Sequence, residues 1–325
     1  MMKKLISSRT FHPGRLGLGR LPSLLLDAGE KAWRRYVEFL TANIRNRNTR
    51  EAYARAISRF SAWCERKHIR LVDISPFLAA AYVEDLGTRA SAPTVKQHLA
   101  ALKMLGDYLV IGQVLPMNPM ASVRGPKHVV KRGKTPVLTT AQARLLLDSI
   151  DPHTIVGLRD RAMIATMVYS FARVSAVLGM NVADYWPDGK RWWIRLHEKG
   201  GKHHEVPAHH ALEKYIDAYL TAGGIQTLKK SPLFRSVDRR GHLTERRLAR
   251  REVLAMVKRR ARRLPLPESI CCHSFRATGI TAYLQNGGTL EHAQQIAAHE
   301  SPRTTKLYDR TKDEITLDEI ERIVL

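Results

Sequence analysis

The residues best suited to chemistry lie toward the end of the chain. His273 and Arg276 are three apart, so a helix would carry them on one face. His299 follows, Tyr308 lies nine residues beyond it, and Arg173 and Lys199 stand upstream. Singly, each has an ordinary explanation: His273 could cap a helix or pack in a core, and Tyr308 could be a half-buried packing tyrosine. Together they are the side-chain types that transesterification at a phosphodiester needs. That reaction requires an in-line nucleophile, positive groups for the charge developing on the non-bridging oxygens, and a proton for the leaving oxygen.

A polyanionic partner fits the charge. The 325 residues include 54 Lys and Arg against 30 Asp and Glu, a formal net charge of +24. Such a balance repels itself, and neutralising phosphates would relieve it. Nucleic acid leads, with a basic ribosomal or membrane-surface protein as the alternative. Cys64, Cys271 and Cys272 are too few for a disulfide framework, which fits a reduced, cytoplasmic setting. No run approaches the roughly 18–20 apolar residues of a membrane span. The sequence holds no Walker-type loop, no paired metal-binding carboxylates and no zinc spacing. His203, His204, His209 and His210 read as surface histidines rather than a metal site. No cofactor and no metal are expected.

The elements that must position these groups fall into two domains. Residues 1–27, with Lys3, Lys4, Arg9, Arg15 and Arg20, read as a basic disordered arm; an organellar presequence is a minor alternative. Residues 28–115 predict four amphipathic helices. The first carries Ala32, Trp33, Tyr36, Val37 and Leu40. The second carries Tyr53, Ala56, Ile57, Phe60, Trp63 and Cys64 and is capped at Asn48 or Thr49. Ser75-Pro76 opens the third, with Phe77, Leu78, Ala81 and Leu86 inward; Ser91 opens the fourth, with Val95, Leu99, Leu102, Leu105 and Leu109. Pro116, Pro119, Pro126 and Pro136 make residues 116–136 an extended basic linker. Residues 137–325 are mixed. Met163, Ile164, Met167, Val168 and Phe171 share a helical face. Trp192 to Leu196 form a strand that turns at Gly200-Gly201 and returns through Val206. Leu212, Tyr215, Ile216 and Tyr219 mark another helix. The fold class is therefore mainly α with a small β-sheet in the second domain.

Thr244 to Arg263 predicts a single basic helix, with Arg246, Arg247, Arg250, Arg251, Lys258, Arg259, Arg260, Arg262 and Arg263 around Leu248, Leu254 and Val257, the first six of these being the candidates for DNA contact. A solvated face is the plain reading. Acidic partners are scarce there, which favours contact with double-stranded DNA.

From about Ala28 onward the chain resembles the tyrosine recombinase, or phage integrase, family. The first arginine box matches Phe171-Ala172-Arg173-Val174-Ser175, the turn lysine Lys199 in Lys199-Gly200-Gly201-Lys202, and the second box His273-Ser274-Phe275-Arg276. The third box ends at His299, and the nucleophile falls on Tyr308. Three positions depart: Ala176 replaces an acidic residue common there, Ala298 a glycine, and His204 an arginine. The resemblance implies a four-helix core-binding (SAM-like) domain and a catalytic domain that close as a C-shaped clamp on DNA. It also implies a homotetramer on paired sites, working without metal or ATP. Tyr308 would attack phosphorus, Arg173 and Arg276 grip non-bridging oxygens, and His273 assist proton transfer at the tyrosine. His299 would contact the phosphate and Lys199 protonate the departing 5′-oxygen. The tail after Tyr308 alternates acidic and apolar residues, an amphipathic helix for a neighbouring subunit or for its own domain. The expected function is site-specific strand exchange. The rivals are a type IB topoisomerase-like enzyme and a non-catalytic DNA-binding regulator.

Overall fold

The structure, a computed structural model, describes residues 21–129, 133–198 and 201–309. It divides into two units, Met1–Val129 and Val130–Leu325.

The first unit is helical: α1 (Ser23–Asp27), α2 (Glu30–Glu38) running into a π-helical turn (Phe39–Asn43), α3 (Arg47–Arg66), α4 (Pro76–Gly87) and α5 (Ala92–Ile111). Asn46 caps α3, accepting from the Thr49 N–H at 3.2 Å, so the predicted cap at Asn48 or Thr49 falls inside the helix. Ser75 caps α4 with Pro76 in its first turn, as expected. The inward face of α4 differs from expectation. Phe77 is 78% exposed, and Ala79, Tyr82, Val83 and Leu86 are buried. Tyr82 sets that face: its ring meets Phe60 and Trp63 edge-on and its hydroxyl pairs with His98 Nδ1 at 3.0 Å. Phe77 lies five residues away, about 140° around the helix, and cannot share that side. In α5 the predicted stripe is buried throughout.

Segments at both edges of the first unit contribute to its core. Helix α1 lies within the segment expected to be a disordered arm; Leu24 and Leu25 enter the first core, and the Leu24 N–H donates to Ser61 Oγ at 3.0 Å. Lys3 to Arg20 lie outside the described residues. Met120 and Val123 also join that core, so the expected linker begins with residues folded onto the first unit.

The second unit continues with α6 (Thr140–Asp148), α7 (Ile155–Tyr169) and α8 (Val174–Gly179). An antiparallel sheet follows in the order β1 (Tyr185–Asp188), β2 (Arg191–His197), β3 (His203–Pro207). Trp193 pairs with Pro207 and His197 with His203, the predicted hairpin. Then come α9 (His210–Gly223), a two-stranded ladder β4 (Arg235–Val237) and β5 (Leu243–Arg247), α10 (Arg250–Ala261), α11 (Cys272–Gln285), α12 (Leu290–Ile296) and α13 (Pro302–Lys306).

Helix α7 is buried along most of its length. Phe171, expected on it, lies two residues past its end with φ 52°. Gly279 lets α11 press against the end of α7: a Cβ there would stand 2.0 Å from the Val168 carbonyl oxygen. The single basic helix predicted from Thr244 to Arg263 is instead a strand followed by a helix. Pairing with the preceding strand decides this: Val237 registers with Leu243, and Ser236 Oγ bonds Thr244 Oγ1 at 2.6 Å. Helix α10 then starts afresh, with Glu252 accepting from the Ala249 N–H at 2.7 Å. Among the described residues no helix is long and apolar enough to cross a membrane.

Candidate active site

Five of the six side chains singled out for chemistry gather in the second unit. Lys199 lies outside the described residues. Arg276 organises the rest. It is only 1% exposed, and its guanidinium donates to two backbone carbonyls: Phe171 through Nη1, and Ala297 through Nη2 at 2.7 Å. Phe171 precedes Arg173 by two residues, and Ala297 precedes His299 by two. One buried cation therefore fixes both loops that present the other groups. Both loops are strained where it holds them: Phe171 has φ 52° and Ala298 has φ 47°, a left-handed conformation that glycine adopts at far less cost. The glycine common at position 298 in the resembled family has its physical reason here.

Tyr308 follows α13 and is 7% exposed, packed with Phe171, Ala277, Ile280, Ala293 and Ala297. Its hydroxyl pairs with His273 Nε2 at 2.6 Å, and the His299 ring lies parallel to its own at 5.8 Å. The Tyr308 carbonyl accepts from Thr281 Oγ1 at 2.8 Å, and the Leu307 carbonyl accepts from the Gly133 N–H at 3.1 Å. The backbone beside the phenol is thus anchored on both sides. His299 Nδ1 pairs with Thr305 Oγ1 at 2.9 Å, tying that imidazole to the helix leading into Tyr308.

The electrostatics suit a neutral imidazole and a bound anion. Burial, then the charges of Arg276 and Arg173, push His273 below its ordinary value, so at neutral pH it is free to accept a proton from the phenol. The same causes, with His273 added, hold His299 down at about 3. Burial raises Tyr308, while Arg276 and Arg173 pull the other way. Arg276 itself is lowered to about 10, chiefly by burial and then by Arg173. An anion bound between the two guanidinium groups would reverse that repulsion. The Arg276 Nε is buried without a hydrogen-bond partner among the described residues, a donor left over after two carbonyls are satisfied.

Sequence reasoning gave Thr305 no role and missed Thr281 and Glu198, whose carboxylate pairs with Arg173 Nη1 at 2.6 Å. Thr281 and Glu198 come from segments distant from the groups they hold, and nothing local in the sequence marks them.

The basic candidates separate. Arg250, Arg251 and Arg259 on α10 are exposed. Arg246 stands on β5, not on a helix, and pairs with Glu252 at 2.9 Å. Arg247, also on β5, turns inward: it donates to the Leu178 carbonyl, to the Met180 carbonyl at 2.8 Å, and to Asn181 Oδ1 at 2.6 Å. That is a bracing role within the unit, in place of the solvent-facing one expected from a helix. Lys258 Nζ donates to the Glu268 carbonyl at 2.5 Å. Of the clustered histidines, His209 stacks on Tyr169 at 4.3 Å and His204 Nε2 donates to the Ile296 carbonyl at 3.0 Å. No group of residues able to hold a metal ion occurs among the described residues.

Residues 136–314 match the phage integrase family, and residues 32–110 match the phage integrase N-terminal SAM-like domain. The chain belongs to the phage integrase family, the tyrosine recombinases. It is 26% identical over 264 residues to the tyrosine recombinase XerC of Myxococcus xanthus, covering 80% of this chain and 84% of that one. It is 30% identical over 215 residues to XerC of Chlamydia pneumoniae, 66% of either chain. Among solved structures, the XerH site-specific recombinase bound to palindromic difH substrate gives a TM-score of 0.68 at 18% identity, covering 95% of this chain and 94% of that one. A lambda integrase dimer bound to a COC′ core site gives 0.66 at 18% identity, covering 87% and 79%. At that identity the likeness concerns the fold.

Proposed function

We propose that this chain is a site-specific DNA recombinase that cuts and rejoins strands through a covalent 3′-phosphotyrosine on Tyr308. The observation that carries this reading is the 2.6 Å bond from the Tyr308 hydroxyl to His273 within reach of the Arg173 and Arg276 charges. The phenol oxygen attacks phosphorus as His273 takes its proton; the P–O5′ bond breaks, and the departing oxygen takes a proton from Lys199. Arg173, Arg276 and His299 hold the non-bridging oxygens as negative charge builds on them. In the return step a 5′-hydroxyl attacks the phosphotyrosine, and the phenol regains its proton. The phosphoester is conserved as a covalent adduct, so ATP is not consumed.

The wider reading follows from this chemistry. Residues 28–115 bind the core of the site and residues 137–325 carry catalysis, the two closing on duplex DNA in the cytoplasm. Four copies exchange strands between paired sites through a Holliday junction. The acidic tail after Arg310 lies outside the described residues, and both a neighbouring subunit and its own domain stay open as its docking surface. The substrate element is mobile DNA.

The test uses a nicked suicide duplex carrying a site recovered from DNA flanking the gene. The wild-type chain should form a detergent-stable protein–DNA adduct. Tyr308→Phe should form none while binding the duplex within a few-fold of wild type. Binding by the wild-type chain without an adduct would mean a DNA-binding regulator. Relaxation of a two-site plasmid without recombinants would mean a topoisomerase-like enzyme.

A further inference from the structure

We propose that Glu198 is the positioning residue for Arg173, serving from the sheet in place of the carboxylate that position 176 lacks. This rests on the catalytic reading of Arg173.

Ala176 lies in the first turn of α8, 1% exposed, with a methyl group that can orient nothing. Glu198 reaches the same guanidinium from another element. It directly follows β2, and its backbone N–H donates to the Lys202 carbonyl at 2.8 Å, closing the mouth of the hairpin. His204 on the return strand ties that hairpin to the Ile296 carbonyl at 3.0 Å, close to the loop bearing His299. The carboxylate is therefore delivered by a braced element.

Its environment fits the role. The Glu198 side chain is 7% exposed and that of Arg173 is 38% exposed. A carboxylate so nearly buried needs a partner, whereas the half-open guanidinium keeps a side toward solvent. One Glu198 oxygen takes Nη1 at 2.6 Å, and a guanidinium has five N–H donors in a fixed fork. Donors remain for a phosphate oxygen. The carboxylate also favours the charged form of Arg276, against the larger effects of burial and Arg173 that lower it.

The experiment is a double-mutant cycle on the full-length chain, read as the single-turnover rate of adduct formation on the nicked duplex, with duplex affinity measured alongside. Glu198→Ala should slow adduct formation by about 10–100-fold, the scale for losing orientation of a reacting group, with affinity within about three-fold. In an Arg173→Ala background the same change should cost less than about two-fold, because no guanidinium remains to be held. Glu198→Gln, which keeps the shape and one acceptor oxygen, should lose about 3–10-fold and show the same dependence on Arg173. It carries the cycle if the alanine variant does not fold. Equal losses with and without Arg173 would overturn the proposal. So would faster adduct formation by Glu198→Ala, which would make the carboxylate a competitor of the phosphate. If the wild-type chain forms no adduct, the catalytic reading itself has failed.

Discussion

At the scale of single residues, Arg276 does two jobs that pull against each other. It is buried against two carbonyls, and burial with Arg173 nearby lowers its affinity for its proton. Arg276→Ala should reduce the rate of adduct formation by about 10²–10³, the effect of removing an electrostatic stabiliser of the transition state. Arg276→Lys should recover little of it, since one ammonium cannot span two carbonyls and a phosphate. The histidines give a pH prediction. His299 is held at about 3 when folded, below the ordinary histidine value of about 6.5 in the unfolded chain. Between those values the unfolded chain binds more protons, so stability is full above about 6.5 and falls as pH drops toward 3. His273 acts in the same direction. Thermal unfolding followed between pH 7 and 5 should show a falling midpoint, and His299→Gln should flatten that fall. The five gathered side chains were legible because each sits in a short motif of fixed spacing. Glu198 and Thr281 were not, because their roles arise only when the end of β2 meets Arg173 and α11 meets Tyr308 in space.

At the scale of elements, α10 has two faces with opposite consequences. Arg250 and Arg251 are exposed, whereas Arg260 turns inward and donates to the buried Asp160 at 2.9 Å. Arg250→Ala and Arg251→Ala should each weaken duplex binding alike for all sequences and reduce the slope of log affinity against log salt by about 1. Arg260→Ala should instead lower folding stability by about 1.5–3 kcal/mol, the range for a hydrogen bond to a charged group, measured by denaturant unfolding. Arg159 still pairs with Asp160 at 2.8 Å, which keeps that loss below the cost of an unpaired buried charge. The sequence marked these arginines as one set because their composition is uniform. Composition cannot separate them: Leu243–Arg247 becomes a strand only because Arg235–Val237 is there to pair with it. By contrast, α5 and the β2–β3 hairpin were readable, since each carries a strong period with its own turn or cap signals.

At the scale of the whole molecule, the two units meet at Val129–Val130, inside the segment whose prolines predict a linker. Leu24, Leu25, Met120 and Val123 complete the first core from segments whose composition reads as loop. The net charge of +24 belongs to a chain whose proposed partner is a polyanion, and it says nothing about which chain supplies the nucleophile. The seating of Tyr308 predicts a nucleophile that acts with the arginines of its own chain. Its hydroxyl, its own carbonyl and the carbonyl before it are all held by groups of the same polypeptide. The consequence is one of complementation: two broken copies should not repair each other. Mixing Tyr308→Phe with Arg276→Ala chains on the nicked duplex should leave adduct formation no higher than Arg276→Ala gives alone. Recovery in the mixture would mean that the phenol is lent from one protomer to the next.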